Sequence, residues 1–314
     1  LRSAVAPLLG RRLQGVWGHI IDIFAIVAII AAIATTMSFG VQGIAAGLTQ
    51  LTDTAGSLRI ELLGLALCTT CATMAVLGRV GVGVKWLSNT GTALFFAMLV
   101  VFAASSGSDL LIRLGLPAAA AYFVELPRLA VMAPQGGGAV WQTEWSVFYW
   151  TWWLAFAPFA SLFVARISRG RTVREFIAGV VLAPTGLCIA WFASAGSAAF
   201  GIEMAEFLPH LGAMPPAEQL FATLSALGGD VMGTLLGWAA LTLIILLTSA
   251  TFACGILAIT TIAAAGCDRA KPAKHVVLWA SVTALIIASL LIAGGTAAVR
   301  DIMVISALPM SVLL

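Results

Sequence analysis

Between Trp145 and Phe156 the chain places seven aromatic residues, Trp145, Phe148, Tyr149, Trp150, Trp152, Trp153 and Phe156. Four arginines follow, Arg166, Arg169, Arg171 and Arg174. Rings crowded on one membrane-length helix suit the capture of a bulky organic cation. A quaternary ammonium group donates no conventional hydrogen bond, so it is drawn to the negative faces of aromatic rings instead. At about 100° per residue, Tyr149, Trp153 and Phe156 share one narrow stripe, with Trp152 at its edge and Trp150 turned away. Pro158 then removes a backbone hydrogen bond, and loosened helices are where transporters place substrates. The plainer alternative is an aromatic belt at the membrane interface. A belt accounts for Trp141 and Trp145, but Trp153 and Phe156 lie about two to three turns deeper.

The elements that must carry this helix are read from hydropathy. The 314 residues are 61% hydrophobic and 9% charged, with a mean hydropathy of +1.07. Soluble domains carry about 25% charged residues, so the chain is an all-α polytopic membrane protein. Eight apolar runs of roughly spanning length are predicted, at 19–38, 60–77, 90–105, 146–165, 176–198, 231–263, 276–294 and 302–314. The sixth is long enough to require tilt or a kink. The stretch 116–132 is predicted as a short interfacial amphipathic helix and not a span. If each run crosses once, Arg2, Arg11, Arg12, Arg79, Lys85, Arg166, Arg169, Arg171, Arg174, Arg269, Lys271 and Lys274 face the cytoplasm. Only Arg59, Arg113, Arg128 and Arg300 face outward, the asymmetry that the positive-inside rule demands.

Other chemistries find little support. The basic residues lie in short loops and form no extended nucleic-acid face. Cys68 and Cys71 form a C-x-x-C, which reads more plainly as two small residues packed in an apolar helix than as a redox or metal pair. The three histidines, at 19, 210 and 275, show no ligand spacing, and no nucleophile–base pair sits at depth, so neither a metal site nor an enzyme is expected. Asp22 and Asp230, near segment ends, are expected to be solvated caps and not intramembrane proton carriers. The chain starts at Leu1 and stops at Leu314 inside an apolar run, so it reads as an internal fragment of a longer protein.

The residues also carry a resemblance. The run F-Y-W-x-W-W at 148–153, Ala157-Pro158-Phe159, and A-R-I-S-R-G-R-T-V-R-E-F at 165–176 closely resemble the betaine/choline/carnitine transporter family. G-H-I-I-D-I-F-A-I at 18–26 resembles its fifth helix, and Lys85-Trp86-Leu87-Ser88-Asn89 the loop before its seventh. Glu218-Gln219-Leu220-Phe221 and Thr248-Ser249-Ala250 resemble the start and centre of its tenth. The resemblance implies a LeuT-type inverted-repeat fold, incomplete here. Residues 19–133 would hold the last three helices of one repeat plus an interfacial helix, and 146–314 a truncated second repeat. Without its first four helices the fragment alone should not transport.

The same resemblance assigns Trp150, Trp152 and Trp153 to the family's tryptophan cluster, with Tyr149 beside them and Trp153 as the wall facing the cation. Phe156 stands where members have a fourth tryptophan. It places a coupling sodium near Thr248, Ser249 and Phe159. Two further threonine ligands are replaced by Ile29 and Ile33, and the usual Asp-Ser after Ala250 by Thr251-Phe252. At most one sodium site survives, leaving proton coupling or exchange open.

Arg166, Arg169, Arg171 and Arg174 set topology, and by resemblance form a regulatory surface toward anionic lipid. The resemblance further implies no cofactor beyond coupling Na+ or H+, a homotrimer, and a place in the bacterial cytoplasmic membrane. The expected function is secondary transport of glycine betaine, choline or carnitine. The alternatives are a carrier or exchanger of another small zwitterion, or a non-transporting sensor or degenerate remnant.

Overall fold

A computed structural model describes residues 2, 10, 13, 15–78, 82–131, 141–205, 208, 210–264 and 272–313. Arg11, Arg12, Arg79, Cys267, Arg269 and Lys271 lie outside the described residues, as does the side chain of Arg166. Among the described residues there is no strand. The helices are α1 (Val16–Thr52), α2 (Leu58–Leu77), α3 (Val82–Leu110), α4 (Leu116–Val131), α5 (Phe148–Ile167), α6 (Val173–Ile177), α7 (Ala183–Met204), α8 (Pro216–Ala263) and α9 (Ala273–Leu313). Three π-helical segments join them, Leu111–Gly115, Gln142–Val147 and Ala178–Leu182. Backbone groups in a bilayer core must be satisfied within the segment, which is why an apolar chain of this kind folds as long helices.

Among the described residues, seven helical stretches are long and apolar enough to cross a membrane, and the last of them contains two of the eight predicted runs. The runs 276–294 and 302–314 lie on the two arms of α9, which a kink at Gly294 and Gly295 divides. Hydropathy separates them because Thr296, Arg300 and Asp301 interrupt the apolar pattern, yet the helix resumes at once. Gly295, at φ 61° and ψ −149°, occupies a region open essentially to glycine alone. Gly229 breaks α8 in the same way, at φ 61° and ψ −163°, which accounts for the excess length of the sixth run.

The stretch expected to be a separate interfacial helix is α4, but it continues from α3 through the π-helical Leu111–Gly115. Its side chains are exposed almost throughout. The first run, 19–38, is likewise only the first part of a helix of 37 residues, Val16–Thr52. That helix continues through Gln42, whose Nε2 donates to Thr296 Oγ1 at 3.4 Å. Glycines that meet α8 lie in the same extension.

The core is built on α1 and α8, which run antiparallel. Ile33 lies against Gly255, Gly40 against Thr248, Gly43 against Ile244 and Leu51 against Gly237, a register held over five turns of α1. A Cβ on Gly237 would stand 2.8 Å from Leu51 Cδ2, so small residues set how closely the backbones approach. The short arm of α8 before Gly229 folds beside the same helix and brings Phe221 onto Gly47. Ile29, Ile33, Phe221, Phe252, Ile256 and Ile259 fill this interface, each 2% exposed or less.

Near the start of α1, Asp22 is not a solvated cap. It is 17% exposed and holds Arg2, whose Nε and Nη2 donate to Oδ2 at 2.8 and 2.6 Å. A partly buried carboxylate gains from a nearby cation, and Arg2 supplies it from outside the helix pattern. Asp230 is exposed, in line with expectation.

Candidate aromatic site

The helix α5 is entered through the π-helical Gln142–Val147. Such wide turns recur at functional sites. Thr151 Oγ1 donates back to the carbonyls of Val147 and Phe148 at 2.7 and 2.9 Å, closing the polar groups of this junction. Pro158 lies buried inside α5 and denies the Leu154 carbonyl its helical donor.

Spacing on a 3.6-residue helix then divides the rings between two faces. Phe148, Ala155 and Phe159 are buried, and Trp152 and Phe156 are partly so. Phe148, Trp152, Ala155 and Phe156 pack on Ala28, Ala31 and Ala32 of α1 and on Met303, Ala307 and Met310 of α9. The alanines let α5 approach closely, and the methionines fill the irregular gaps beside it. Tyr149, Trp150 and Trp153 face outward, at 42%, 66% and 68% exposed.

The ring contacts form two groups. In the outer one, Phe148 meets Phe39 of α1 edge-on at 6.0 Å, Tyr149 at 5.2 Å and Trp152 at 5.5 Å. Trp152 also meets Phe39 at 5.7 Å and Tyr149 at 5.9 Å, and Trp145 stacks on Tyr149 at 5.9 Å. The Arg300 guanidinium stands 4.5 Å from the Phe148 centroid. In the deeper group, Trp153 meets Phe156 at 6.2 Å, Phe156 meets Phe159 at 4.6 Å, and Phe159 meets Phe163 at 5.3 Å. Such edge-to-face and tilted geometries leave ring faces partly free, and a free face is what a cation needs.

The predicted stripe of Tyr149, Trp153 and Phe156 is thus split. Trp153 and Phe156 touch, while Tyr149 pairs with Trp152. Phe39 and Arg300 are the contributors that sequence reasoning passed over. Phe39 is the one aromatic residue between Phe24 and Trp86, a cue that could have marked it. Arg300 entered only as a topology marker.

Thr248 and Ser249 lie in mid-α8, 6% and 0% exposed. They turn to different neighbours: Thr248 meets Gly40 of α1, whereas the Cys68 thiol of α2 faces Ser249. Apart from that thiol, Ser249 Oγ has no hydrogen-bond partner among the described residues. Ile29 and Ile33 are wholly buried core residues.

Beyond the C-terminal end of α5, Arg169, Arg171 and Arg174 are exposed. Thr172 and Glu175 form a capping box, with Thr172 Oγ1 accepting from the Glu175 N–H at 3.3 Å and Glu175 Oε2 accepting from the Thr172 N–H at 2.8 Å. This fixes the turn between the arginines and the next membrane segment.

A family model described as betaine/carnitine/choline family transporter matches residues 1–314. An uncharacterized transporter of Mycobacterium tuberculosis is 33% identical, over 100% of this chain and 53% of its own length. A glycine betaine/proline/choline transporter of Vibrio parahaemolyticus is 32% identical, over 100% of this chain and 56% of its own length. An ectoine/glycine betaine/proline transporter of Corynebacterium glutamicum is 30% identical, over 98% of this chain and 51% of its own length. The chain spans about half the length of the curated relatives it matches.

Proposed function

The chain belongs to the betaine/carnitine/choline transporter family, and from that premise we propose that it is part of a secondary transporter for quaternary ammonium osmolytes such as glycine betaine, choline or carnitine. It is a multi-pass protein of the bacterial cytoplasmic membrane, as the family and its long apolar helices require. The observation that carries the substrate reading is the exposed Trp153 indole beside Phe156, the first of a row of rings that continues to Phe159 and Phe163 on a proline-loosened helix. Trp153 receives the cation in this reading, with Tyr149, Trp150, Trp152 and Phe156 completing the aromatic wall. An indole face attracts a cation more strongly than a phenyl face, so Trp153 dominates and Phe156 contributes less.

Coupling is assigned to sodium near Thr248, Ser249 and Phe159. The buried Ser249 hydroxyl, met only by the Cys68 thiol among the described residues, supports this, since a hard cation takes oxygen ligands. The antiparallel register of α1 and α8 supports an inverted repeat of LeuT type, in which one bundle rocks against the other. A homotrimer, and contact of Arg169, Arg171 and Arg174 with anionic lipid, belong to the same proposal. A second reading is a carrier of compact zwitterions with fewer N-methyl groups. It is favoured by the phenyl ring at Phe156 and by relatives whose names include proline and ectoine.

The test is uptake of labelled glycine betaine, choline and proline by the protein expressed from its complete gene, in a strain lacking its own osmolyte carriers. Sodium is present or replaced by potassium. Saturable, sodium-dependent uptake of betaine or choline supports the proposal. Uptake of proline alone would establish the second reading, and no uptake from protein shown to reach the membrane would reject both.

A further inference from the structure

Arg300 sits in α9 five residues beyond the Gly295 break, beside the outer end of α5. Its guanidinium carbon lies 4.5 Å from the centroid of Phe148, and its Nη2 donates to the Glu144 carbonyl at 2.9 Å. That carbonyl belongs to the π-helical turn that leads into the aromatic helix. Among the described residues, Arg300 pairs with no carboxylate. Its partners among the described residues are a ring face and a backbone carbonyl, and the side chain is only partly buried. Phe148 is 4% exposed and touches Phe39, Tyr149 and Trp152, so the guanidinium lies against a cluster to which α1, α5 and α9 all contribute.

We propose that Arg300 is the built-in cation of this outer aromatic cluster, a positioning residue that holds the Phe148 face and the outer end of α5 until a quaternary ammonium ligand displaces it. The inference rests on the transport reading above. A phenyl face accommodates one cation at a time. A trimethylammonium group reaching Phe148, Tyr149 and Trp152 therefore competes with the guanidinium. Arg300 has an alternative, because its five donors hydrate readily once it swings outward. A ligand without comparable attraction to ring faces cannot make the exchange. Arg300 thus raises the threshold for weakly bound solutes and sets selectivity before the deeper rings are reached.

The test uses the protein expressed from its complete gene, with Arg300→Gln, Arg300→Lys, Phe148→Leu and the double variant Arg300→Gln/Phe148→Leu. Thermal unfolding of the purified, ligand-free proteins is read first. The two single changes should be non-additive, the double variant melting close to the Phe148→Leu protein. Choline uptake is read second. Arg300→Gln should lower KM by about two- to fivefold, the range of one exposed cation–π contact. Arg300→Lys should keep KM near that of the unaltered protein, and the Arg300→Gln effect should vanish when Phe148 is Leu. Additive melting shifts would overturn the proposal, as would an unchanged KM in an Arg300→Gln protein that still transports. The melting arm needs no substrate, so failure of the transport reading and failure of this proposal appear in different measurements.

Discussion

Gly40 of α1 and Thr248 of α8 meet so closely that a methyl group on Gly40 would stand 2.6 Å from Thr248 Cγ2. The hydroxyl assigned to the coupling ion is therefore positioned by the absence of a side chain across the interface. Gly40→Ala should lower the melting temperature of the purified protein, with a cost of about 1–3 kcal/mol for overpacking. Thr248→Ala in the same protein should recover most of that loss, because the clash needs both side chains. Full retention of stability in the single variant would show that α1 and α8 separate freely at this level.

If Thr248 and Ser249 hold the coupling ion, their removal should change coupling before it changes recognition. Thr248→Val and Ser249→Ala should each weaken the sodium dependence of uptake while leaving the choice among betaine, choline and proline unaltered. Uptake as a function of sodium concentration reads this directly. Loss of substrate discrimination with sodium dependence intact would place both hydroxyls in the substrate site instead.

The architecture was largely legible in the sequence, and the arrangement of the site less so. Helix identity follows from uninterrupted apolar composition. Helix ends were less visible, because hydropathy stops at polar residues that the fold pairs. Gln42 reaches Thr296, and α1 runs on to Thr52. Angular spacing put Tyr149, Trp153 and Phe156 on one stripe and turned Trp150 away, whereas Tyr149, Trp150 and Trp153 share the exposed face and Phe156 is partly buried. It could not reveal that Phe39 and Arg300, distant in sequence, complete the outer cluster. The Arg2–Asp22 pair was hidden for the same reason.

Replacing Phe156 by Trp restores the ring that the family resemblance implies at this depth. Phe156 already touches Trp153 and Phe159 and is only partly buried, so a larger ring has a direction in which to extend. Phe156→Trp should lower the KM for choline by about two- to fivefold, the increment of a better cation–π face. Proline uptake should gain less, since its ammonium carries N–H groups that are satisfied by hydrogen bonds.

The capping box at Thr172 and Glu175 should matter for the turn between α5 and α6 and not for recognition. Thr172→Ala removes the acceptor of the Glu175 N–H and should cost about 1 kcal/mol locally. Faster amide hydrogen exchange confined to residues 173–176 would report it, with the KM for choline unchanged. Exchange spreading through α7 would mean that the box also anchors the membrane segment.

The central claim is that Trp153 and its neighbours recognise charge through ring faces. The most direct measurement compares choline with its neutral isostere 3,3-dimethyl-1-butanol, which keeps the shape and loses the charge. Both are tested as inhibitors of labelled glycine betaine uptake by the protein expressed from its complete gene, with Trp153 intact or changed to Leu. The account predicts that choline inhibits at far lower concentration than the isostere, and that Trp153→Leu narrows the gap. Equal inhibition by the two compounds, with Trp153 intact, would contradict it.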